Sequence, residues 1–375
     1  MNIAIVVPYF TPYVRGNEYG LAHSLANLGH TVTIITSSAR APRENMLKNV
    51  ALNKMPDLNF NVKYLPSLID LGDNPITTGI KNYIAGQDLV MLQEDYPLIC
   101  HKAYSAAAKF GIPTILSSER TYYPKNIVKR YALKLLDATT NKILRNEVDV
   151  LTAHCTAAKE FMNHELGAKR EITVINVGVD TQLFRPVQSE IKYLNKGEFK
   201  ILTVARLHRY KGLNYLIEAM KTIREEIPEV HLYIMGKGQE ERNLKRLTDK
   251  LQLNSVITFL TKPIPNYEMP ELYSECDIYA QPSIIEPYGI AVVEAMACGK
   301  PVVGTNVGGM RDTINEETGF LADPGNSEEI EKYIKLLYNE DTRNRMGISA
   351  RKRAVEEFDW DRIMDKYMDV FERII

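Results

Sequence analysis

The chain has 375 residues, of which 45% are hydrophobic and 25% are charged, and its formal net charge is −1. The length predicts two globular domains, and the balanced charge excludes a general nucleic-acid coat. No apolar run in the sequence is long enough to cross a bilayer. The four cysteines lack metal or redox spacing and the seven histidines form no HExxH-type cluster. We therefore expect a reduced, cytoplasmic protein without a metal site.

Short runs rich in Val and Ile alternate with longer helical patterns, which is typical of parallel sheets built from βαβ units. In the first half the predicted strands are 2–7, 31–36, 62–65, 88–92, 113–117, 149–152 and 172–176, and the predicted helices are 17–29, 97–110, 123–147 and 156–166. The first strand has no basic leader, so it is not interpreted as a signal peptide. Gly16 precedes the first helix, where it can help to hold a phosphate or sugar oxygen or form a plain loop.

The segment 120–147 carries seven basic residues and two acidic ones, interleaved with leucines and isoleucines. A basic amphipathic stretch of this kind can lie on anionic lipid, at the inner face of the cell membrane. The alternative is a solvated helix face.

A polar segment at 187–197 separates the first half from a second α/β pattern. Its predicted strands are 200–205, 230–235, 255–260, 277–281 and 301–304. Two tandem α/β units joined near 180–198 predict a cleft between them, and domain interfaces are favoured places for small-molecule sites.

The second pattern opens with a strand that is followed by Arg206 and then by Lys211, at the start of a helix. A cation at a strand end and another at a helix N-terminus predict an anion site suited to a diphosphate. A solvated basic turn is the alternative. Gly236 and Gly238 follow the next strand and indicate a tight turn, with or without a ligand against its backbone. The full dinucleotide fingerprint is absent from both halves, which argues against hydride transfer.

Glu294 is the one charged residue in the apolar window 290–298, which is bounded by Gly289 and Gly299 and predicts a buried helix. A carboxylate there is costly unless donors meet it. Glu286 lies eight residues earlier, in the loop that enters this helix. Both side chains are expected to point into the crevice at the carboxyl ends of the strands, where open α/β sheets bind ligands. A buried ion pair of Glu294 with an Arg or Lys is the alternative.

These motifs resemble the nucleotide-sugar-binding half of the retaining glycosyltransferases with the GT-B fold, glycosyltransferase family four. The matching segments are 203–207, 211–213, 234–239, 282–289, 294–303 and 307–309. Glu286 and Glu294 match the Glu-x7-Glu signature of the family. The first half is similar more loosely, through Gly16, 28–33 and 177–180, so the resemblance covers nearly the whole chain.

The resemblance implies a role for each matching side chain. Glu294 would accept hydrogen bonds from the ribose hydroxyls, and Glu286 would contact hydroxyls of the donor sugar. Arg206 and Lys211 would clamp the diphosphate and stabilise the leaving group.

The backbone amides of Gly289 and Ile290 begin a helix and would add to this clamp. Such enzymes need neither a metal nor a cofactor, because cations and a helix N-terminus neutralise the leaving diphosphate. The resemblance further implies two Rossmann-like domains: an acceptor-binding domain at 1–185, completed by a helix at 360–375, and a nucleotide-sugar-binding domain at 198–358.

The sequence departs from the family pattern at three places. Arg15, Gly16 and Asn17 stand where Gly-Gly is frequent, and Ala205 stands where a glycine often precedes the arginine. Glu119 stands where many relatives have a histidine near the reacting centre. A carboxylate there would hydrogen-bond the sugar or stabilise positive charge at the anomeric carbon; alternatively it marks a different donor sugar or a weakened enzyme.

The sequence thus predicts a metal-independent, retaining hexosyltransferase that uses a nucleoside diphosphate sugar and a hydroxyl of a glycan or lipid-linked acceptor. The alternative from another class is a non-catalytic nucleotide-sugar-binding subunit of a glycosyltransferase complex. A phosphorylase of the same fold would usually carry a lysine-bound pyridoxal cofactor, for which the sequence gives no indication.

Overall fold

The computed structural model describes residues 1–12, 16–39, 57–71, 74–188 and 192–375. The chain divides into two compact α/β units. Unit 1 comprises Met1–Gly178 and Trp360–Ile375, and unit 2 comprises Val179–Asp359. The sequence placed the end of the first domain at residue 185, whereas the structure assigns the chain from Val179 onward to unit 2.

Unit 1 is built on a seven-stranded parallel sheet and a short antiparallel pair. Its strands are β1 (Asn2–Val6), β2 (Thr31–Ser37), β3 (Asn61–Leu65), β4 (Ser67–Leu71), β5 (Asn74–Thr77), β6 (Leu89–Gln93), β7 (Thr114–Ser118), β8 (Val150–Ala153) and β9 (Ile172–Val174). The sheet order is β3-β2-β1-β6-β7-β8-β9, and β4 and β5 form a separate two-stranded sheet. Its described helices are α1 (Asn17–Asn27), α2 (Lys81–Ile84), α3 (Leu98–Phe110), α4 (Ile127–Ala138), α5 (Thr140–Glu147), α6 (Thr156–His164) and α14 (Trp360–Phe371).

The last helix, α14, is fixed in unit 1 by the one tryptophan of the sequence. A Cβ atom at Gly20 would lie 2.2 Å from the Trp360 ring, and one at Gly178 would lie 2.4 Å from it. The indole therefore needs a glycine on each side. Behind it, Ile363 and Tyr367 are buried in the same apolar core as the first strand.

Unit 2 contains a six-stranded parallel sheet in the order β12-β11-β10-β13-β14-β15. Its strands are β10 (Phe199–Val204), β11 (Val230–Met235), β12 (Ile257–Leu260), β13 (Ile278–Gln281), β14 (Val302–Thr305) and β15 (Gly319–Ala322). Its described helices are α7 (Leu213–Glu226), α8 (Glu241–Lys250), α9 (Met269–Glu275), α10 (Ile290–Ala297), α11 (Met310–Thr313), α12 (Ser327–Tyr338) and α13 (Glu340–Glu357).

The chain order reverses beside the first strand of each sheet. In unit 2, Ile201 of β10 pairs with Leu232 of β11 on one side and with Ile278 of β13 on the other. The loops that leave β10 and β13 must diverge to opposite sides of the sheet, which opens a crevice at the carboxyl ends of these strands.

The two ends of unit 2 lie side by side. The Val179 N–H donates to the Phe358 carbonyl at 2.8 Å, and Val179 forms an isolated parallel bridge with Asp359. The Thr181 hydroxyl also donates to the Asp359 carboxylate.

Most predicted elements are present within one or two residues of their predicted bounds. The single helix predicted over 123–147 is wrong: Thr139 has the non-helical torsions φ −122° and ψ −101°, and it separates α4 from α5. The short strands β4, β5 and β15 were not predicted. No helix in the described ranges is both long enough and apolar enough to span a membrane.

Candidate active site

The carboxyl ends of four neighbouring strands of unit 2 bring most of the predicted residues together. Arg206 follows β10, Gly236 follows β11, Glu286 follows β13 and Gly308 follows β14. Because these strands are adjacent in the sheet, the four loops share one edge. Lys211 lies further along the loop after β10. Glu294 lies in α10, the helix that follows the loop after β13.

The glycines after β11 pack against the loop that carries Arg206. A Cβ atom at Gly236 would lie 1.9 Å from the carbonyl oxygen of Ala205, and one at Gly238 would lie 2.3 Å from that of Leu207. The close approach that requires glycine here is to the protein's own backbone, so these residues position Arg206.

A second close approach fixes the loop that carries Glu286. Gly308 has φ +50°, and a Cβ atom there would lie 1.6 Å from the Glu286 carbonyl oxygen. The loop after β14 thus lies directly against the loop after β13, and a side chain at position 308 would push them apart.

The Glu286 carboxylate is buried, with 7% of the residue exposed, and three donors converge on its Oε2 atom. Lys211 Nζ forms an ion pair with this oxygen, Ser283 Oγ donates at 3.0 Å and Gln281 Nε2 donates at 3.1 Å. These donors offset the desolvation of the carboxylate. The family resemblance assigned Lys211 to the diphosphate and Glu286 to the donor sugar. In the structure these two side chains form an ion pair with each other.

Glu294 lies in the second turn of α10 and is half-buried. Its Oε2 accepts a hydrogen bond from the Tyr273 hydroxyl at 2.8 Å, and it makes no ion pair with an Arg or Lys of the described ranges. Burial raises the pKa of Glu294 to about 7, partly opposed by the Tyr273 hydrogen bond. The alternative of an internal ion pair is thus wrong for the described residues, among which Tyr273 is the donor that the structure gives to this carboxylate.

The N-terminus of α10 opens at the same edge. Gly289 has φ +98° and caps the helix without a side-chain hydrogen bond. Among the described residues, the amides of Gly289 and Ile290 have no backbone acceptor. They stand at the positive end of the helix dipole, which favours an anion.

Arg206 adds an exposed cation to this edge. Its guanidinium carbon lies 5.8 Å from the centroid of the Tyr210 ring, and Lys211 Nζ lies 5.6 Å from the same centroid. Burial and then the charge of Arg206 lower the pKa of His208, which stacks on Tyr210. The loop after β10 is therefore electropositive.

Two of the predicted site residues, Gly16 and Glu119, belong to unit 1. Gly16 caps α1 in an extended conformation, and residues 13–15 before it lie outside the described residues. Glu119 follows β7 and is exposed. Its backbone N–H donates to Glu94 Oε1 at 2.6 Å.

Glu94 is a site candidate that sequence reasoning missed. It follows β6 with φ +75°, a left-handed conformation that is uncommon for a residue other than glycine. Its carboxylate also accepts a hydrogen bond from the Ser118 hydroxyl at 2.8 Å. Burial raises the pKa of Glu94 to about 8, and the charges of Asp95 and Glu119 add to the shift. The signal in the sequence was the polar pair Gln93 and Glu94 directly after the apolar run 89–92.

His154, at the end of β8, was also missed. Its Nδ1 lies 3.2 Å from the Ile175 carbonyl oxygen, and Asn17 Nδ2 lies 3.1 Å from its Nε2. A carbonyl can only accept and an amide nitrogen can only donate, so the ring is neutral with its proton on Nδ1. Burial lowers the pKa of His154, in agreement with this state.

A shallow depression of about 490 Å³ adjoins the site at Gly238. Its walls come mainly from charged residues of α8, and it contains none of the carboxylates or cations of the strand-end edge. The described residues contain no group of three His, Cys, Asp or Glu side chains placed to hold a metal ion.

Comparison with known proteins identifies the family. The sequence model of the glycosyl transferases group 1 matches residues 184–353, and that of glycosyltransferase family 4 matches residues 19–183. Sulfoquinovosyl transferase SQD2 of Arabidopsis thaliana is 29% identical over 270 residues, which are 69% of this chain and 51% of that protein. The chain thus spans about half the length of this relative. N-acetyl-alpha-D-glucosaminyl L-malate synthase of Bacillus anthracis is 23% identical over 371 residues, 96% of this chain and 93% of that protein.

Solved structures share the fold over the whole chain. Alr3699/HepE of Anabaena, crystallised with UDP and also with UDP-glucose, is 20% identical. In the UDP complex it has a TM-score of 0.80 and covers 100% of both chains. The two sequence models together extend from residue 19 to residue 353. The chain therefore belongs to the group 1 glycosyltransferases, and its two Rossmann-like units are those of the GT-B fold.

Proposed function

We propose that this glycosyltransferase moves a hexose from a nucleoside diphosphate sugar to a hydroxyl of a glycan or lipid-linked acceptor, with retention of the anomeric configuration. The observation that carries the proposal is the meeting of Arg206, Lys211 and the open N-terminus of α10 with Glu286 and Glu294 at one edge of unit 2. Cations and free amides suit a diphosphate, and carboxylates suit hydroxyl donors. The UDP and UDP-glucose complexes of HepE add support by analogy.

The ion pair between Lys211 and Glu286 suggests how the donor enters. Lys211 and Glu286 neutralise each other, and the carboxylate of this pair is buried. A diphosphate draws Lys211 towards itself, and Glu286 then accepts hydrogen bonds from hydroxyls of the sugar. Gln281 and Ser283 keep Glu286 oriented during the exchange.

Glu294 is assigned to the ribose. A carboxylate has about four acceptor positions, and the structure provides Tyr273 for one of them. The two hydroxyls of a ribose would fill two more. Hydrogen bonds to an ionised group contribute about 1.5–3 kcal/mol each, so Glu294 contributes strongly to nucleotide affinity.

The proposed chemistry follows from the neutralisation of the leaving group. Arg206, Lys211 and the amides of Gly289 and Ile290 stabilise the diphosphate as the glycosidic bond breaks, without a metal. The acceptor hydroxyl attacks from the face that the diphosphate leaves, and its proton passes to a phosphate oxygen. Glu119 is proposed to stabilise the positive charge at the anomeric carbon.

The test begins with binding. Calorimetric titration with UDP and with GDP should show affinity for at least one of them. Glu294→Gln should weaken this affinity roughly 10- to 100-fold. The exposed Glu316→Gln serves as the matched control and should bind as the parent does. Unchanged affinity of Glu294→Gln would remove the assigned role.

Turnover separates the enzyme from the rival function. The chain is incubated with a panel of nucleotide sugars and with sugar or lipid acceptors, and the anomeric configuration of the product is read by NMR. We expect transfer with retention. Nucleotide binding without transfer across a broad panel would favour a non-catalytic subunit, the alternative prompted by Glu119 in place of the histidine of many relatives.

A further inference from the structure

Helix α4 of unit 1 presents its apolar residues to solvent. Ile127, Val128, Tyr131 and Leu135 are between 66% and 78% exposed. Asp137 is the one buried residue of this helix. A surface helix of a globular protein normally buries its apolar stripe and exposes its polar face. The orientation of α4 is therefore the reverse of the usual one.

A polar network, rather than an apolar interface, holds α4 to the rest of unit 1. Asp137 pairs with Arg120 at 2.8 Å and accepts a hydrogen bond from Asn141 at 2.9 Å. Arg145 contacts Asp137 and forms a buried ion pair with Asp95. Breaking such a buried network is strongly destabilising, so the network can fix the helix with its apolar side outward.

Basic side chains surround the apolar stripe. Two of the seven basic residues noted in the sequence, Arg120 and Arg145, are taken up by the buried network. The exposed ones are Lys125, Lys129, Lys134 and, on α5, Lys142. At 100° per residue, Lys134 and Lys129 fall on opposite sides of the stripe. The sequence has no acidic residue from 120 to 136, although the whole chain has a net charge of only −1.

We propose that the α4 surface, formed by Ile127, Val128, Tyr131, Leu135 and the four lysines, docks the protein on an anionic lipid bilayer. The apolar side chains would enter the boundary between headgroups and acyl chains, while the lysines contact lipid phosphates. Tyrosine is favoured at this depth because its ring is apolar and its hydroxyl is polar.

Charge decides between a bilayer and a second copy of the chain as the occupant. A two-fold dimer would place this surface against itself and bring eight lysines together without an acidic partner. An anionic membrane provides the complementary charge. The inference concerns where the enzyme acts and does not depend on the proposed transfer reaction.

The test is flotation with vesicles of phosphatidylcholine alone and of phosphatidylcholine mixed with phosphatidylglycerol. We expect the protein to float with the mixed vesicles at low ionic strength, to stay behind with phosphatidylcholine alone, and to be released by high salt. The absence of binding to the mixed vesicles at low ionic strength would overturn the proposal, as would equal binding to both kinds. Size-exclusion chromatography at the same ionic strength should show no self-association through this surface.

Substitutions on the α4 surface test whether this surface makes the contact with the vesicles. Lys129→Ala together with Lys134→Ala should weaken partitioning about fivefold per lysine, and Val128→Glu together with Tyr131→Glu should abolish it. The matched controls are Lys352→Ala and Ile348→Glu, on exposed positions of α13 in unit 2, which should float as the parent does. All variants should keep the parental melting temperature, since these side chains are exposed. If the controls lose binding as the α4 variants do, the proposal fails; nucleotide titration of the same proteins tests the donor site separately.

Discussion

The two units share the same arrangement of strands but differ in the side chains at the ends of those strands. In both, the first strand lies inside a parallel sheet and the chain order reverses beside it. The strand ends of unit 2 carry cations and an open helix N-terminus, and its buried acid, Glu286, is matched by Lys211. The strand ends of unit 1 carry the acids Glu94 and Glu119, and the neighbouring Arg120 is locked into structural ion pairs. The scaffold thus sets where a site forms, and the loops set which ligand it suits.

The largest expected effect compares one ion-paired cation from each unit, Lys211 and Arg145. Lys211→Met should lower kcat/KM about 1,000-fold, because it removes a donor to the leaving group and leaves Glu286 without its counter-ion. Arg145→Met should lower the free energy of unfolding by about 3–5 kcal/mol, because Asp95 and Asp137 lose a buried partner. At temperatures where it is folded, Arg145→Met should bind UDP or GDP as the parent does.

The readouts are steady-state kinetics, chemical denaturation and calorimetry. Lys211→Met leaves the buried charge of Glu286 unpaired. Adding Glu286→Gln removes that charge, so the double variant should regain the parental free energy of unfolding without regaining transfer activity. Parental kcat/KM in Lys211→Met, or loss of nucleotide affinity in folded Arg145→Met, would break the distinction between a ligand-binding edge and a structural network.

A smaller effect on stability is expected from substitutions of two glycines that both have positive φ, Gly308 and Gly29. Gly308→Ala should lower the free energy of unfolding by about 2–4 kcal/mol and impair transfer, because the new Cβ meets the Glu286 carbonyl. Gly29→Ala, in unit 1, has φ +88° and no atom within 4 Å of the new Cβ, so it should cost only about 1 kcal/mol and leave transfer intact. Denaturation curves and initial rates of both variants check this, and equal costs would show that torsion alone explains both glycines.

The smallest effect is a pH dependence in each unit. Glu294 and Glu94 have pKa values of about 7 and about 8 in the folded protein, above the ordinary value of 4.5. Between pH 4.5 and the raised pKa of each residue, the folded state therefore binds more protons than the unfolded state. The stability contribution is complete below pH 4.5 and is lost as the pH rises through about 7 for Glu294 and about 8 for Glu94.

Glutamine at either position should flatten the corresponding part of the stability profile. The expected change is on the order of 1–3 kcal/mol for each residue. Urea denaturation from pH 5 to pH 9 measures it, with Glu316→Gln as the control. A profile of Glu294→Gln or Glu94→Gln that is parallel to that of the parent would contradict the assignment of that group.

The sequence was most informative where a local pattern had a single physical explanation, as when alternating strands and helices indicated two parallel sheets. The lone glutamate of an apolar helix, Glu294, left a ligand and an internal ion pair as alternatives, and among the described residues it makes no such ion pair. Glu94 was missed because a polar residue after a strand looks like any turn residue, and its positive φ is not visible in sequence. The burial of Arg145 also escaped prediction, because its partner Asp95 lies 50 residues away in the chain.

The adjoining ends of unit 2 have an evolutionary consequence. Val179 and Phe358 are joined by a hydrogen bond, so the segment between them leaves and re-enters the chain at almost one point. A segment with this geometry can be exchanged for another of different length without stretching the recipient, as in natural domain insertion. Recombination at these two positions would transfer unit 2 as a whole into a related chain. The ligand specificity of one unit 2 could in this way be combined with that of another unit 1.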